Sequence, residues 1–139
     1  MTTPDSPLLL LQRATHVTLR LLAEDLSDLE MPASELNALA NLDGDTGITV
    51  SELSLRTGTR ATTLTSLLDR LAGRGYIERV PNPADRRSVL IEVTETGSTV
   101  RRQVLEAFAS VEERTLAHLD EAALSGFRRT LAALIEEGS

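Results

Sequence analysis

The chain of 139 residues contains no cysteine and no tryptophan, and only two phenylalanines and one tyrosine. Without cysteine there is no disulfide, no thiolate zinc site and no thiol for peroxide to oxidise. A reducing, cytoplasmic setting is the expectation. Aromatics make up 2% and hydrophobic residues 41%. The core must therefore be Leu, Val, Ile and Ala, which suits helices packed on helices. The apolar run Leu8–Leu11 is too short for a signal peptide and follows Asp5, where positive charge would be needed. No segment approaches the length of a membrane span, so no membrane partner is expected. His16 and His118 are the only histidines and belong to no paired metal motif. Neither a metal nor a cofactor is expected. Nor is there a glycine-rich phosphate loop or a nucleophile motif, and the expectation is a protein without enzymatic activity.

Lysine is missing as well: all fourteen basic residues are arginine. The formal net charge is -7, and a pI near 4.8 argues at first against a nucleic-acid partner. The distribution argues the other way. Residues 56–87 carry seven arginines (Arg56, Arg60, Arg70, Arg74, Arg79, Arg86, Arg87) against three acids, Asp69, Glu78 and Asp85. One short stretch is basic inside an acidic protein.

Apolar spacing predicts a first helix over 8–29, through Leu8, Leu11, Leu19, Leu22, Leu26 and Leu29. Pro32 opens a second, running through Leu36, Leu39 and Ala40 and closed by Asp43-Gly44-Asp45 and Gly47. Thr49-Val50-Ser51-Glu52 is a capping box that starts a third helix, ended by Gly58. Thr59 is placed to cap a fourth, spanning 60–73. Only a tight turn fits between them, which makes the pair a helix-turn-helix. Tyr76–Val80 and Ser88–Val93 read as a hairpin, with 81–87 as the loop and Val89, Ile91 and Val93 on the buried face. Thr94 caps a helix over about 95–118 and Asp120 another over about 121–137. Leu124, Phe127, Leu131 and Leu134, with Ile135 beside them, form a coiled-coil-like seam. Both ends of the chain are thus apolar on one face, and pairing with a second copy is the economical way to cover them.

The fold expected is mainly α: a winged helix-turn-helix with a small β-hairpin wing and flanking dimerisation helices. One domain covers 1–139, with a DNA-binding lobe over 32–93 and a helical dimerisation lobe from 1–31 and 94–139. On the helix 60–73, Arg60, Thr62, Thr63, Ser66 and Arg70 lie at or near one face, away from Leu64, Leu67, Leu68 and Leu71. Short hydroxyls near a helix N-terminus can approach phosphates and base edges, and an arginine can read guanine in the major groove. Pro81 and Pro83 stiffen the hairpin loop, and Asp85 can hold an arginine or the loop amides in place. The Arg86-Arg87 tip suits the minor groove, whose potential is most negative over narrow A·T tracts. The bland alternatives are a solvated helix face and a surface loop. A second class of reading is a winged helix used for protein–protein contact or dimerisation without DNA. Positive charge kept on helix and wing favours double-stranded DNA.

LTSLLDRLAGRGYIERVPNPADRRSVLIEVTETG (64–97) resembles the recognition-helix-to-wing stretch of the MarR family of bacterial transcription regulators. Asp85-Arg86-Arg87 matches that family's wing Asp-x-Arg, and Thr94-Glu95-Thr96-Gly97 its following helix start. The likeness covers nearly the whole chain and is most specific across 49–97. Met31 stands where the family often has a capping Thr or Ser. The resemblance implies a homodimer that binds a pseudo-palindromic operator, usually as a repressor. It assigns the minor-groove role to Arg87, with Arg86 on a phosphate or sharing that role. It also implies a small anionic or aromatic effector, bound between the dimer helices and the DNA-binding lobe. His16 and Arg20, one turn apart on the first helix, are candidates for that pocket. A surface pair between Arg20 and Glu24 is the competing assignment. Phe127, Leu131 and Leu134 are the candidate dimer contacts.

Overall fold

The computed structural model describes residues 5–138. The outermost parts of the expected helical lobe, residues 1–4 and Ser139, lie outside the described residues. In chain order the elements are α1 (Pro7–Asp25), a single 3-10 turn (Ser27–Leu29), α2 (Ala33–Ala40), α3 (Val50–Thr57), α4 (Ala61–Gly73), β1 (Ile77–Asn82), β2 (Asp85–Val93), α5 (Glu95–Leu116) and α6 (Glu121–Glu137). The architecture is mainly helical with a β-hairpin wing, as the apolar spacing and turn signals predict.

Local chemistry explains most boundaries. Thr49 accepts a hydrogen bond from the Glu52 amide (3.1 Å), Thr94 from Gly97 (3.0 Å) and Asp120 from Ala123 (2.7 Å). Each starts a helix by satisfying an amide that lacks an intrahelical partner. Gly58 ends α3 at φ 69, a conformation other residues adopt only under strain. One cap differs from expectation. Arg60, not Thr59, is the N-cap of α4, and its side chain makes no capping bond. Thr59 serves the turn through its backbone: its carbonyl accepts from Ser54 Oγ (2.6 Å) and its amide donates to Thr57 Oγ1 (3.2 Å).

The wing departs further. Residues 81–87, expected as a loop, are mostly strand, and only Pro83 and Ala84 form the turn. Pairing runs from Ile77↔Val93 to Pro81↔Val89 and then jumps to Asn82↔Asp85, so Arg86, Arg87 and Ser88 have no partner on β1. Val89, nearer the tip, is 42% exposed, while Ile91 is buried. The expected common buried face for Val89, Ile91 and Val93 therefore holds at the wing's base and is lost at Val89: pairing from Val89 to Val93 is regular, so the three share one side of the ladder, but the core reaches only Ile91 and Val93. Ile91 also bridges to Ile48, anchoring the wing's base to the segment before α3.

The buried core joins the C-terminal part of α1, the helices α2–α4, the strand bases and α5. Its largest fully buried members include Leu36, Leu39, Leu53, Leu64, Leu68 and Leu71. Beyond Leu22, α1 buries nothing, and α6 buries no residue at all.

Candidate nucleic-acid interface

Helix α4 carries its apolar stripe inward: Leu64, Leu67, Leu68 and Leu71 are buried. The opposite face shows Thr62, Thr63, Thr65, Ser66 and Asp69, all exposed. By helical periodicity Thr62, Ser66 and Asp69 form its centre, and Thr63 and Arg70 lie along one edge. Asp69 is thus a central residue of this face, an acid among its hydroxyls.

The structure sorts the seven arginines of the basic stretch into two groups. Arg56 is held by Asp43 (2.8 Å), Glu52 (3.1 Å) and the Asn41 carbonyl (2.9 Å). The Arg56 hydrogen bond holds the Asp43 carboxyl below the usual carboxylate range, and that carboxylate in turn raises Arg56. Arg79 of β1 pairs with Asp69 at 2.7 Å. Arg70 and Arg74 both converge on Glu35 of α2, at 3.3 and 3.6 Å. Among the described residues no ion pair occupies Arg60, Arg86 or Arg87. These three stand at the head of α4 and at the wing tip. Arg70, expected to contact DNA, has its Nε committed to Glu35.

Glu35 was not anticipated. It is 1% exposed. Its sequence signal was its spacing of 4 from Leu39 and 7 from Leu42, which places an acid on the apolar stripe of α2.

At the wing tip, Asp85 Oδ1 accepts from the Arg87 amide (3.0 Å), and Asn82 Oδ1 from the Ala84 amide (3.0 Å). Asn82 Nδ2 donates to Ser88 Oγ (2.9 Å), which donates to the Asp85 carbonyl (3.3 Å). Side-chain bonds thus replace the missing ladder, and the two arginine stems leave a braced backbone.

His16 and Arg20 do not come together with a cavity. Both are exposed on α1, and Arg20 lies 3.9 Å from Glu24, the competing surface assignment. The cavity between α1, α2 and α4 lies elsewhere. It measures about 330 Å3 and is lined by Leu19, Ser34, Asn37, Thr63, Leu67 and Arg70 among others. Arg70 supplies a cation there, and no histidine lines it.

Phe127 and Leu134 of α6 are 42% and 41% exposed, and Leu131 is half-buried. Phe127 and Leu131 line an open groove between α5 and α6 together with Leu116 and Leu124. No helix among the described residues is long and apolar enough to cross a membrane.

Comparison with known proteins places this geometry. The sequence profile described as the MarR family matches residues 29–88. The multiple antibiotic resistance protein MarR of Escherichia coli is 38% identical over 84 residues, 60% of this chain; the match spans 58% of that protein's length. The HTH-type transcriptional regulator PecS of Dickeya dadantii is 31% identical over 121 residues, covering 83% of this chain and 73% of PecS. Among solved structures, a MarR variant from Escherichia coli complexed with operator DNA superposes with a TM-score of 0.75 at 28% identity, over 90% of each chain. CouR of Rhodococcus jostii, bound to p-coumaroyl-CoA, shares the fold at a TM-score of 0.87 and 21% identity, over 97% of this chain and 95% of CouR.

Proposed function

This chain belongs to the MarR family of winged helix-turn-helix transcription regulators, and we propose that it acts as a homodimer binding a pseudo-palindromic DNA operator. One observation carries the reading. In a protein of net charge -7, internal carboxylates occupy four of the seven arginines of 56–87, and the three without such a partner are at the recognition-helix head and wing tip. A module for protein contact alone has no need of that sorting. Thr62, Thr63 and Ser66 face the major groove, and Arg60 sits where the α4 N-terminus meets a phosphate. Arg87 enters the adjacent minor groove, its backbone oriented by Asp85, and Arg86 takes a phosphate or shares the groove.

Surface area supports the dimer. The protomer exposes 9368 Å2, against roughly 7,100 Å2 for a compact monomer of its 15.1 kDa mass. An excess of about 2,000 Å2 has the size of an obligate interface. The exposed apolar residues Leu8, Leu9 and Leu10 of α1 and Phe127 and Leu134 of α6 are candidates for that interface. The regulator is a repressor, released by a small anionic or aromatic effector. The cavity beside Thr63 and Arg70 receives it, with apolar walls for its body and the arginine for its charge.

Selection of bound fragments from random duplex DNA tests the reading. The expected product is a pseudo-palindrome with half-sites about one helical turn apart. Recovery of no consensus from a folded, dimeric preparation overturns it in favour of a protein-binding winged helix.

A further inference from the structure

Glu35 is the one charged residue buried among those described, at 1% exposure, and it occupies a position in line with Leu39 and Leu42 where a leucine would pack. A buried ion pair seldom stabilises more than an apolar residue of the same volume. Stability alone therefore does not account for an acid here. Its two partners differ in what they have left over. Arg74 approaches with Nε at 3.6 Å and donates its Nη2 to the Glu30 carbonyl at 2.9 Å, so it is bound to the body at both ends. Arg70 gives Glu35 only its Nε, at 3.3 Å. Its two η nitrogens have no hydrogen-bond partner among the described residues, and the side chain is 54% exposed. Thr63 and Arg70 are seven residues apart, almost in line on a 3.6-residue helix, so the fork emerges along the edge of the α4 reading face.

We propose that Glu35 is a positioning residue for DNA reading: from beneath α4 it holds Arg70 by Nε and presents the η fork, already oriented, to a base edge in the major groove. The inference rests on the DNA-binding reading above. An arginine is a long side chain with many rotamers, and fixing its stem before binding removes much of the ordering that DNA would otherwise have to impose. The guanidinium also has the right number of donors for the task, because Nε serves the acid while the η pair stays available for bidentate contact.

The test is a double-mutant cycle on selectivity, the ratio of affinity for the selected operator to that for the same duplex with one half-site base pair changed. Arg70→Ala should lower the ratio about tenfold. Glu35→Met, which keeps volume but removes the tether, should lower it to a similar degree. The double variant should fall no further than either single one, because both remove the same contact. Glu35→Gln keeps an acceptor in place and should retain most of the ratio. Additive losses in the cycle, or undiminished selectivity in Glu35→Met, would overturn the proposal and leave Glu35 a structural residue. If Glu35→Met does not fold, the cycle is run with Glu35→Gln and Arg70→Ala. The same non-additivity is then required of whatever loss Glu35→Gln produces, and full additivity again refutes it. A wild-type protein that shows no selectivity at all refutes the DNA-binding reading instead, so the two failures are distinct.

Discussion

Replacing Arg87 by alanine should change the salt dependence of operator binding by an amount set by the arginine sorting. Three arginines of the basic stretch, Arg60, Arg86 and Arg87, have no internal carboxylate. In the proposed homodimer six such cations would meet the duplex. Each neutralised phosphate contributes about -0.9 to the slope of log affinity against log salt, so the wild type should show a slope of roughly -5. Arg87→Ala removes two cations per dimer and should bring the slope to roughly -3.5. Over a fourfold increase in salt, affinity should fall by about three decades in the wild type and about two in the variant. Arg56→Ala is the control. That guanidinium lies within reach of Asp43 and Glu52, and its loss should move the slope by less than about half a unit. Operator titrations by fluorescence anisotropy across a salt series measure all three, with sedimentation confirming that each variant stays dimeric. An unchanged slope in both Arg86→Ala and Arg87→Ala would show that the wing is only a loop. A slope change in Arg56→Ala as large as in Arg87→Ala would show that internal pairing does not decide which arginines meet phosphate.

Leu131→Asp places a carboxylate in the uncovered α6 face of both protomers. At about 2 kcal/mol for each buried charge, the dimer dissociation constant should rise roughly a thousandfold, which sedimentation equilibrium would read; an unaltered dimer removes α6 from the interface. Gly97 starts α5 against the backbone of Tyr76, and a β-carbon there would overlap the Tyr76 carbonyl. Gly97→Ala should cost about 3 kcal/mol and lower Tm by roughly 10 °C, and a calorimetric Tm equal to wild type contradicts that close approach. Asp43 has its folded pKa depressed by the Arg56 hydrogen bond. Its contribution is therefore present above the unfolded value of about 4 and is lost as pH falls through the folded pKa. Thermal melts of wild type and Asp43→Asn should differ at neutral pH and converge as pH falls below about 4, and a gap that widens with acid would reverse the sign of this argument.

The chain by itself determined what depends on neighbours within a few residues. Thr49 with the Glu52 amide, Thr94 with Gly97, Asp120 with Ala123 and the left-handed Gly58 are all local events, and they mark the helices correctly from spacing alone. The wing was legible as a hairpin between Tyr76 and Val93, and the basic stretch as an excess of arginine. Tertiary structure decided the rest. The strands run almost to the tip because side chains of Asn82, Asp85 and Ser88 substitute for ladder bonds, and Val89 is exposed because the core that covers Ile91 does not reach that far along the wing. His16 stayed on the surface and Arg20 took Glu24, since burial depends on what packs opposite and not on helical spacing. Above all, composition counted seven arginines without distinguishing them. Glu35 meets Arg70 across 35 positions of chain, Asp43 meets Arg56 across 13, and Asp69 meets Arg79 across 10. Charge is a property of residues, but a charge's availability is set by which carboxylate the folded backbone brings within about 4 Å of it, and periodicity carries no record of that distance.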